Sequence, residues 1–378
     1  MICFPMSASL KIGVVGAGVS GLTCATTIVR LLCKKKDPGH KANFQIVVLE
    51  WGRGVGGRTA QRRVRKDGVE YKFDHAAPYF TAKTDAFRTG LLADWIANGL
   101  AAPFGDGDAY VGTPSNHAPC KAMSAALEAS GYAEMRLGRH AKSAVYNDDD
   151  GTWRLTATRR SDGLDEVLEL DALCLSDKLL VLPNEYAVLS PDDAARLLPP
   201  IPQHLGSRGC VVLLLAYRQP LFDDSSRPRV LTGRPGSVLD VAVCESAKPG
   251  RGNDNDAELW TVRSTASFAE RHLIGESLRD ETAAKEELLG AFSAVVGVES
   301  ASSPHVFEVF AWDHSQPVDM ISGASCSLDA DRRLGVCGDF YCGGGVGDDG
   351  DDDDDVHGVE ASARSGDALA RALADAFL

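Results

Sequence analysis

The sequence has no long apolar run, no basic excess, no closely paired cysteines and no clustered metal ligands. Each absence removes a class of protein. The longest apolar stretch, Cys210–Tyr217, falls far short of the roughly 20 residues a helix needs to cross a bilayer, so no membrane partner is expected. With 39 Lys and Arg against 53 Asp and Glu, the net charge is −14. No basic face remains for nucleic acid. Half of that charge is local: seven aspartates lie between Asp348 and Asp355. At that density they repel one another and stay solvated, and they lack the D-x-D-x-D-G spacing of a calcium loop.

The ten cysteines include no C-x-x-C pair, and the nearest two are Cys337 and Cys342. Such scatter reads as reduced, mostly buried thiols in an intracellular protein. No Cys/His cluster has ligand spacing, so no metal is expected. Met1–Leu10 has no basic end followed by a long apolar core, the pattern of a secretory leader. The compartment these features point to is the cytoplasm. At 378 residues, 44% of them hydrophobic, the chain is expected to be globular with two lobes.

What is present is glycine, in two dense turns. Lys11–Ala25 reads as a short buried strand, the turn Gly16-Ala17-Gly18, and a helix opening at Val19-Ser20-Gly21. The spacing is G-x-G-x-x-G. Gly16 allows the tight turn, Gly18 lets a diphosphate approach the backbone, and Gly21 lets helix and strand pack closely. The helix N-terminus adds unpaired N–H groups and partial positive charge. Phe44–Leu49 reads as a second buried strand ending at Glu50, where an acid holds the ribose hydroxyls of a dinucleotide. Trp51-Gly-Arg53-Gly-Val-Gly56-Gly57-Arg58-Thr59 follows. A plain nicotinamide dehydrogenase does not need this second turn. A larger, extended dinucleotide does, because more of it presses on backbone and Arg53 and Arg58 can grip phosphate. A flexible surface loop is the competing reading.

The Gly56-Gly57-Arg58 turn after Glu50 resembles that of the flavin amine oxidase superfamily. Phe73-Asp74-His75-Ala76-Ala77-Pro78-Tyr79-Phe80 is similar to the F-D-x-G-A-x-Y-F block of its renalase-like branch, with Ala76 where that pattern has glycine. Tyr110–Pro114 is similar to another block of the branch. Phe310-Ala311-Trp312 stands where the branch has His-Arg-Trp, and Leu334–Asp339 resembles the strand that delivers the late acid.

The resemblance implies an α/β fold: a discontinuous Rossmann-like FAD-binding domain (1–80, 115–182 and 330–378) and a smaller α+β substrate domain with a mixed sheet (81–114 and 183–329). It implies noncovalent FAD, since the Ser-Gly-Gly-Cys attachment segment is missing and Cys342 sits in a different block. Gly338 and Asp339 would meet the ribityl chain and phosphate. Val145 would offer a backbone contact to adenine. Val359 and Glu360 would open a last helix toward the flavin's pyrimidine ring. Ala76 and Ala77 would lie beside the ring.

The implied reaction is hydride transfer from a small substrate to flavin N5, with O2 reoxidising the flavin to give hydrogen peroxide. NAD(P)(H), in the form of isomeric dihydronicotinamides, is the substrate or ligand that the branch suggests. An amine oxidase flanking its substrate with Tyr79 and Trp312 is one alternative. A dinucleotide-binding protein without turnover is another. Trp312 reads as a cavity wall. His314 is an acid/base candidate, against the commoner reading of a hydrogen-bonded structural histidine. The oligomeric state, monomer or dimer, is left open.

Overall fold

The computed structural model describes residues 9–34, 43–105, 107–197, 206–223, 227–251, 257–298, 301, 303–343 and 358–376. The aspartate run, with its calcium question, and most of Met1–Leu10 lie outside them.

The organising layer is a six-stranded sheet. Its strand order is Ser327–Asp329, Leu334–Val336, Ala172–Leu175, Leu10–Val15, Phe44–Glu50, Ala133–Leu137. All neighbours are parallel except the first pair. Ile12–Val15, Ile46–Leu49 and Ala172–Leu175 are apolar throughout because both faces are covered. On one face, Ile12, Val14, Ile46 and Val48 pack under the helices Val19–Lys34, Ala118–Ala129 and Gly358–Ala376. On the other, Val15, Val47 and Leu49 pack against Trp153 and Leu155. Those two belong to a three-stranded antiparallel meander, Arg139–Asn147, Thr152–Arg159 and Asp165–Leu170. The chain is therefore α/β, with a Rossmann-like parallel sheet at its centre.

A second sheet has the order Val230–Thr232, Leu239–Cys244, Glu258–Ser264, Ser207–Tyr217, Val306–Pro317. It is antiparallel throughout, not mixed as expected. The helix Glu281–Val296 returns the chain from Glu258–Ser264 to the far side of Ser207–Tyr217. Two strands of like direction thus end up separated by one of opposite direction. One face packs under that helix through Leu288 and Phe292. The other packs on the hairpin Gln61–Lys66/Val69–Asp74 through Tyr71, Phe73, Val212 and Leu214.

Segment 81–114 packs in both directions. Phe87, Leu92, Trp95 and Ala101 join the core of the parallel sheet, whereas Phe104 and Val111 join Val241 and Val243 of the antiparallel one.

Candidate functional site

In an open parallel sheet, ligands bind beyond the C-terminal strand ends where the strand order reverses. Here the chain runs from Leu10–Val15 outward to Phe44–Glu50 and Ala133–Leu137, then crosses back to Ala172–Leu175. The crevice is therefore framed by Gly16-Ala17-Gly18 and Ser176-Asp177-Lys178.

The three glycines there have different surroundings. Gly16 has φ +99°, and a methyl group on it would overlap Ser176 Oγ; on Gly21 it would overlap the Gly16 carbonyl oxygen; on Gly18 it would meet nothing within 4 Å. Two positions are closed by packing, and the one between them opens on free space. That is the geometry a diphosphate requires. Ser176 Oγ donates to the carbonyls of Val15 (2.8 Å) and Gly16 (3.2 Å), which fixes the turn. Val19 and Ser20 are buried in the first helical turn, and Ser20 Oγ has no partner among the described residues.

The second glycine turn is fastened to the first. Gly56 N donates to Ala17 O at 2.7 Å. Glu50 accepts from Ala17 N (2.8 Å) and Gly52 N (2.6 Å), so the acid closing the second strand reaches both turns. Gly56 and Gly57 have positive φ, and Thr59 Oγ1 donates to Gly56 O at 2.8 Å. Arg53 and Trp51 are exposed. Arg58 makes a bidentate pair with Asp339 (2.6 and 2.8 Å) and donates to Ser315 O at 2.9 Å. It thus ties the turn to the strand end of one sheet and to the last strand of the other. Asp339 holds the guanidinium firmly charged. Gly338 N donates to Ser365 Oγ, anchoring this corner to the last helix.

At the other end of the crevice, Asp74 is 1% exposed. Its carboxylate accepts from Lys248 (3.0 Å), from Arg251, and from Asn116 N (3.3 Å). Lys248 also grips both oxygens of Glu245 at 2.7 Å. Burial drives the Glu245 carboxyl upward. The side chain of Asp74 is thus held inside a four-charge cluster that fastens the hairpin to the antiparallel sheet. Asn116 Nδ2 holds Ala77 O at 2.6 Å, and Ala77 N donates to Arg58 O. Ala76 and Ala77 are thereby drawn against the second turn.

His75 stands against Trp312 (ring centroids 5.1 Å apart) and Phe310 (6.0 Å). Its Nδ1 bonds Ala60 O at 3.1 Å. A carbonyl only accepts, so Nδ1 carries the proton. Burial lowers the ring's pKa to about 4, which keeps it neutral. Trp312 Nε1 is buried without a partner among the described residues.

Tyr79 and Trp312 join different clusters. Tyr79 packs with Phe104, Val111 and Val241, while Trp312 packs on the cluster of Phe73 and Val212. The two clusters share one face of the antiparallel sheet, since Val241 and Val212 both pair with Arg263, but they sit on different strands of it. His314 faces Asp313 at 3.5 Å and Tyr186 edge-on at 6.3 Å, and its buried Nδ1 has no partner among the described residues.

Two further expectations change. Val145 is 59% exposed, and Ala144 N points away from the neighbouring strand to Val188 O. The next amide, that of Val145, therefore faces the neighbouring strand and is not free for adenine. The start of the same strand is what approaches Glu50: Gly138 N donates to Gly52 O, and His140 stacks on Trp51 at 4.2 Å. Glu360 is fully buried, and its carboxylate accepts from Lys83 N, Thr84 N and Thr84 Oγ1. Its side chain secures the loop before Asp85–Thr89, so only the backbone of Val359 and Glu360 is left to meet a ligand.

Sequence reading missed Asp177 and Lys178. Their signal was slight: a charged pair directly after a buried strand. Lys248, Glu245 and Arg251 carried none, because their meaning depends on Asp74.

This geometry defines a Rossmann-like crevice. Residues 14–92 match the family described as NAD(P)-binding Rossmann-like domain. No curated protein matches the sequence. Among solved structures, an oxidoreductase from Methanosarcina mazei is 12% identical over 94% of this chain and 99% of its own, with a TM-score of 0.57. Cyclohexylamine oxidase from Brevibacterium oxydans is 10% identical over 97% and 99%, with a TM-score of 0.56. At these identities the likeness is one of fold, and it runs through both sheets.

Proposed function

We propose that the protein is an FAD-dependent oxidoreductase that binds its flavin noncovalently and oxidises a small organic substrate. The observation that carries this is the unequal spacing of the first glycine turn: Gly16 and Gly21 closed, Gly18 open. A second glycine turn hydrogen-bonded to it supports a dinucleotide longer than a nicotinamide one. The full-length fold likeness to cyclohexylamine oxidase supports the same reading.

FAD, when bound, supplies the electron acceptor, taking a hydride equivalent at N5. The chain's own residues would do the rest. The turn at Gly18 and the helix behind it would hold the diphosphate. Glu50 would exchange a backbone amide for ribose hydroxyls. Ala76, Ala77 and the amides opening the last helix would approach the ring, and His75 with Trp312 would wall the substrate side.

The substrate favoured is an isomeric dihydronicotinamide. Its oxidation regains an aromatic ring and releases no proton, so a neutral, weakly basic His75 suffices. The His75–Trp312 pair also supports a second reading, an amine oxidase whose neutral amine lies between aromatic groups. Reoxidation by O2 with release of hydrogen peroxide completes either cycle.

The test is direct. Purified protein should be yellow, or its apoprotein should take up FAD; a colourless protein that binds no FAD overturns the reading. Anaerobic mixing then separates the substrates. Bleaching by isomeric dihydronicotinamides but not by amines supports the first; the converse supports the second; bleaching by neither points to dinucleotide binding without turnover.

A further inference from the structure

The wall formed by His75, Phe310 and Trp312 has a cation beside it. Arg62, in the strand Gln61–Lys66, stands directly opposite Phe73, and residues opposite each other across a hairpin point to the same side. Phe73 is fully buried against the antiparallel sheet, so Arg62 leaves the hairpin on that side too. It is nevertheless exposed, and its guanidinium lies over the Phe310 ring, 4.4 Å from the centroid. Phe310 in turn stands edge-on to His75 at 6.0 Å. Burial does most to lower the His75 pKa, and the charge of Arg62 adds to it, so the cation is felt at that ring.

The neighbours of Arg62 have partners. Arg63 and Arg65 pair with Glu70, and Lys66 donates to His305 O. Arg62 has neither a carboxylate nor a carbonyl within reach among the described residues; its contact is the Phe310 ring. Asp74 is held by Lys248, Arg251 and Asn116 N. Glu308, exposed and two residues before Phe310 on the same strand, forms no ion pair with Arg62. A guanidinium resting on a ring spends none of its five N–H groups on an oxygen acceptor. That fork fits phosphate or carboxylate bidentately. Because Arg62 is exposed, an anion can reach it without any cavity having to open.

We propose that Arg62 binds an anionic group of the substrate while the reacting part of the molecule lies against His75 and Trp312. The inference rests on the oxidoreductase reading and extends it: the substrate carries an oxyanion. Two sources share that chemistry, the diphosphate of a dihydronicotinamide dinucleotide and the carboxylate of an amino acid. Arg62 would be a binding residue with no part in hydride transfer.

The experiment uses the flavin-loaded full chain and its R62M and R62K variants, mixed anaerobically with substrate. The dissociation constant is read from how the rate of flavin bleaching depends on concentration; flavin content and melting temperature check folding. An isomeric dihydronicotinamide dinucleotide is compared with its phosphate-free riboside, and an amino acid with the amine lacking its carboxylate. For the phosphate source, R62M raises the dissociation constant of the dinucleotide about tenfold, the size expected for a charge-assisted contact, and R62K raises it less. The riboside and the limiting bleaching rates are unaffected. For the carboxylate source, the same pattern separates amino acid from amine. The gap narrows as salt is added, because the contact is exposed. If R62M alters charged and uncharged substrates equally, or neither, the proposal is overturned.

Failure of the oxidoreductase reading looks different: wild type binds no flavin, or none of the four compounds bleaches it. Thermal stabilisation by inorganic pyrophosphate then tests Arg62 alone. A larger shift in wild type than in R62M upholds the anion site; equal shifts, or none, overturn it.

Discussion

Asp339 and Asp74 invite comparison. Each ends or follows a strand, each is nearly buried, and each is gripped by an arginine. Their surroundings differ. Asp339 faces one arginine from a turn and borders a cleft. Asp74 is 1% exposed and enclosed with a second carboxylate, a lysine and an arginine. The difference teaches how to read a buried ion pair. One at a cleft edge is free to exchange partners with a ligand. One sealed on every side cannot, and removing a partner leaves uncompensated charge in low dielectric, so it belongs to folding.

The comparison can be broken at several points. The largest effect is expected from Asp74→Asn, which leaves Lys248 and Arg251 short of a negative charge. Chemical denaturation should show a loss of about 3–5 kcal/mol. FAD affinity of the fraction still folded should be unchanged; a specific loss of FAD affinity with normal stability would move Asp74 into the site.

Next is His75, one residue on. Its pKa is lowered in the folded state, so between pH 6.5 and about 4 the unfolded chain takes up a proton that the folded chain refuses. Stability should fall as pH drops through that window, by at most about 3 kcal/mol. His75→Phe should flatten that part of the profile. An unchanged slope would show that the ring is not held neutral.

On the open side, Gly18→Val should cost about a hundredfold or more in FAD affinity, near 3 kcal/mol, with little change in melting temperature, since its new atoms fill space that nothing else occupies. Gly21→Val, facing a backbone oxygen, should instead lower the melting temperature. Asp339→Asn is expected to cost about tenfold in FAD affinity and about 1 kcal/mol or less in stability, because Arg58, already part-exposed, keeps its bond to Ser315 O. Val145→Ala should be smallest, within about 0.5 kcal/mol for stability and without effect on FAD binding. A marked loss of affinity there would restore the adenine contact that its strand geometry denies.

Much of the fold was legible for a physical reason. Ile12–Val15 and Ile46–Leu49 are apolar throughout because helices cover one face of their sheet and a meander the other, and G-x-G-x-x-G encodes steric demands that only glycine meets. The antiparallel order of the second sheet was not legible, since strand pairing depends on where the helix Glu281–Val296 returns the chain. The candidate site divides likewise. Gly16, Gly18, Gly21, Glu50 and Arg58 converge on one crevice. Tyr79 and Trp312, paired on the strength of being aromatic, pack in separate clusters.

The sequence by itself determined the Rossmann-like crevice, because turn, helix start and strand end are neighbours in the chain and their chemistry is local. Only the tertiary structure decided what each distant charge does. Asp74 became a fastener because Lys248 and Arg251, more than 170 residues away, fold onto it. Arg58 became a brace between the two sheets because Asp339, 281 residues away, and Ser315 O both fold onto it. A carboxylate or ammonium has no fixed role until its partners and its access to water are set, and both are properties of the packed molecule.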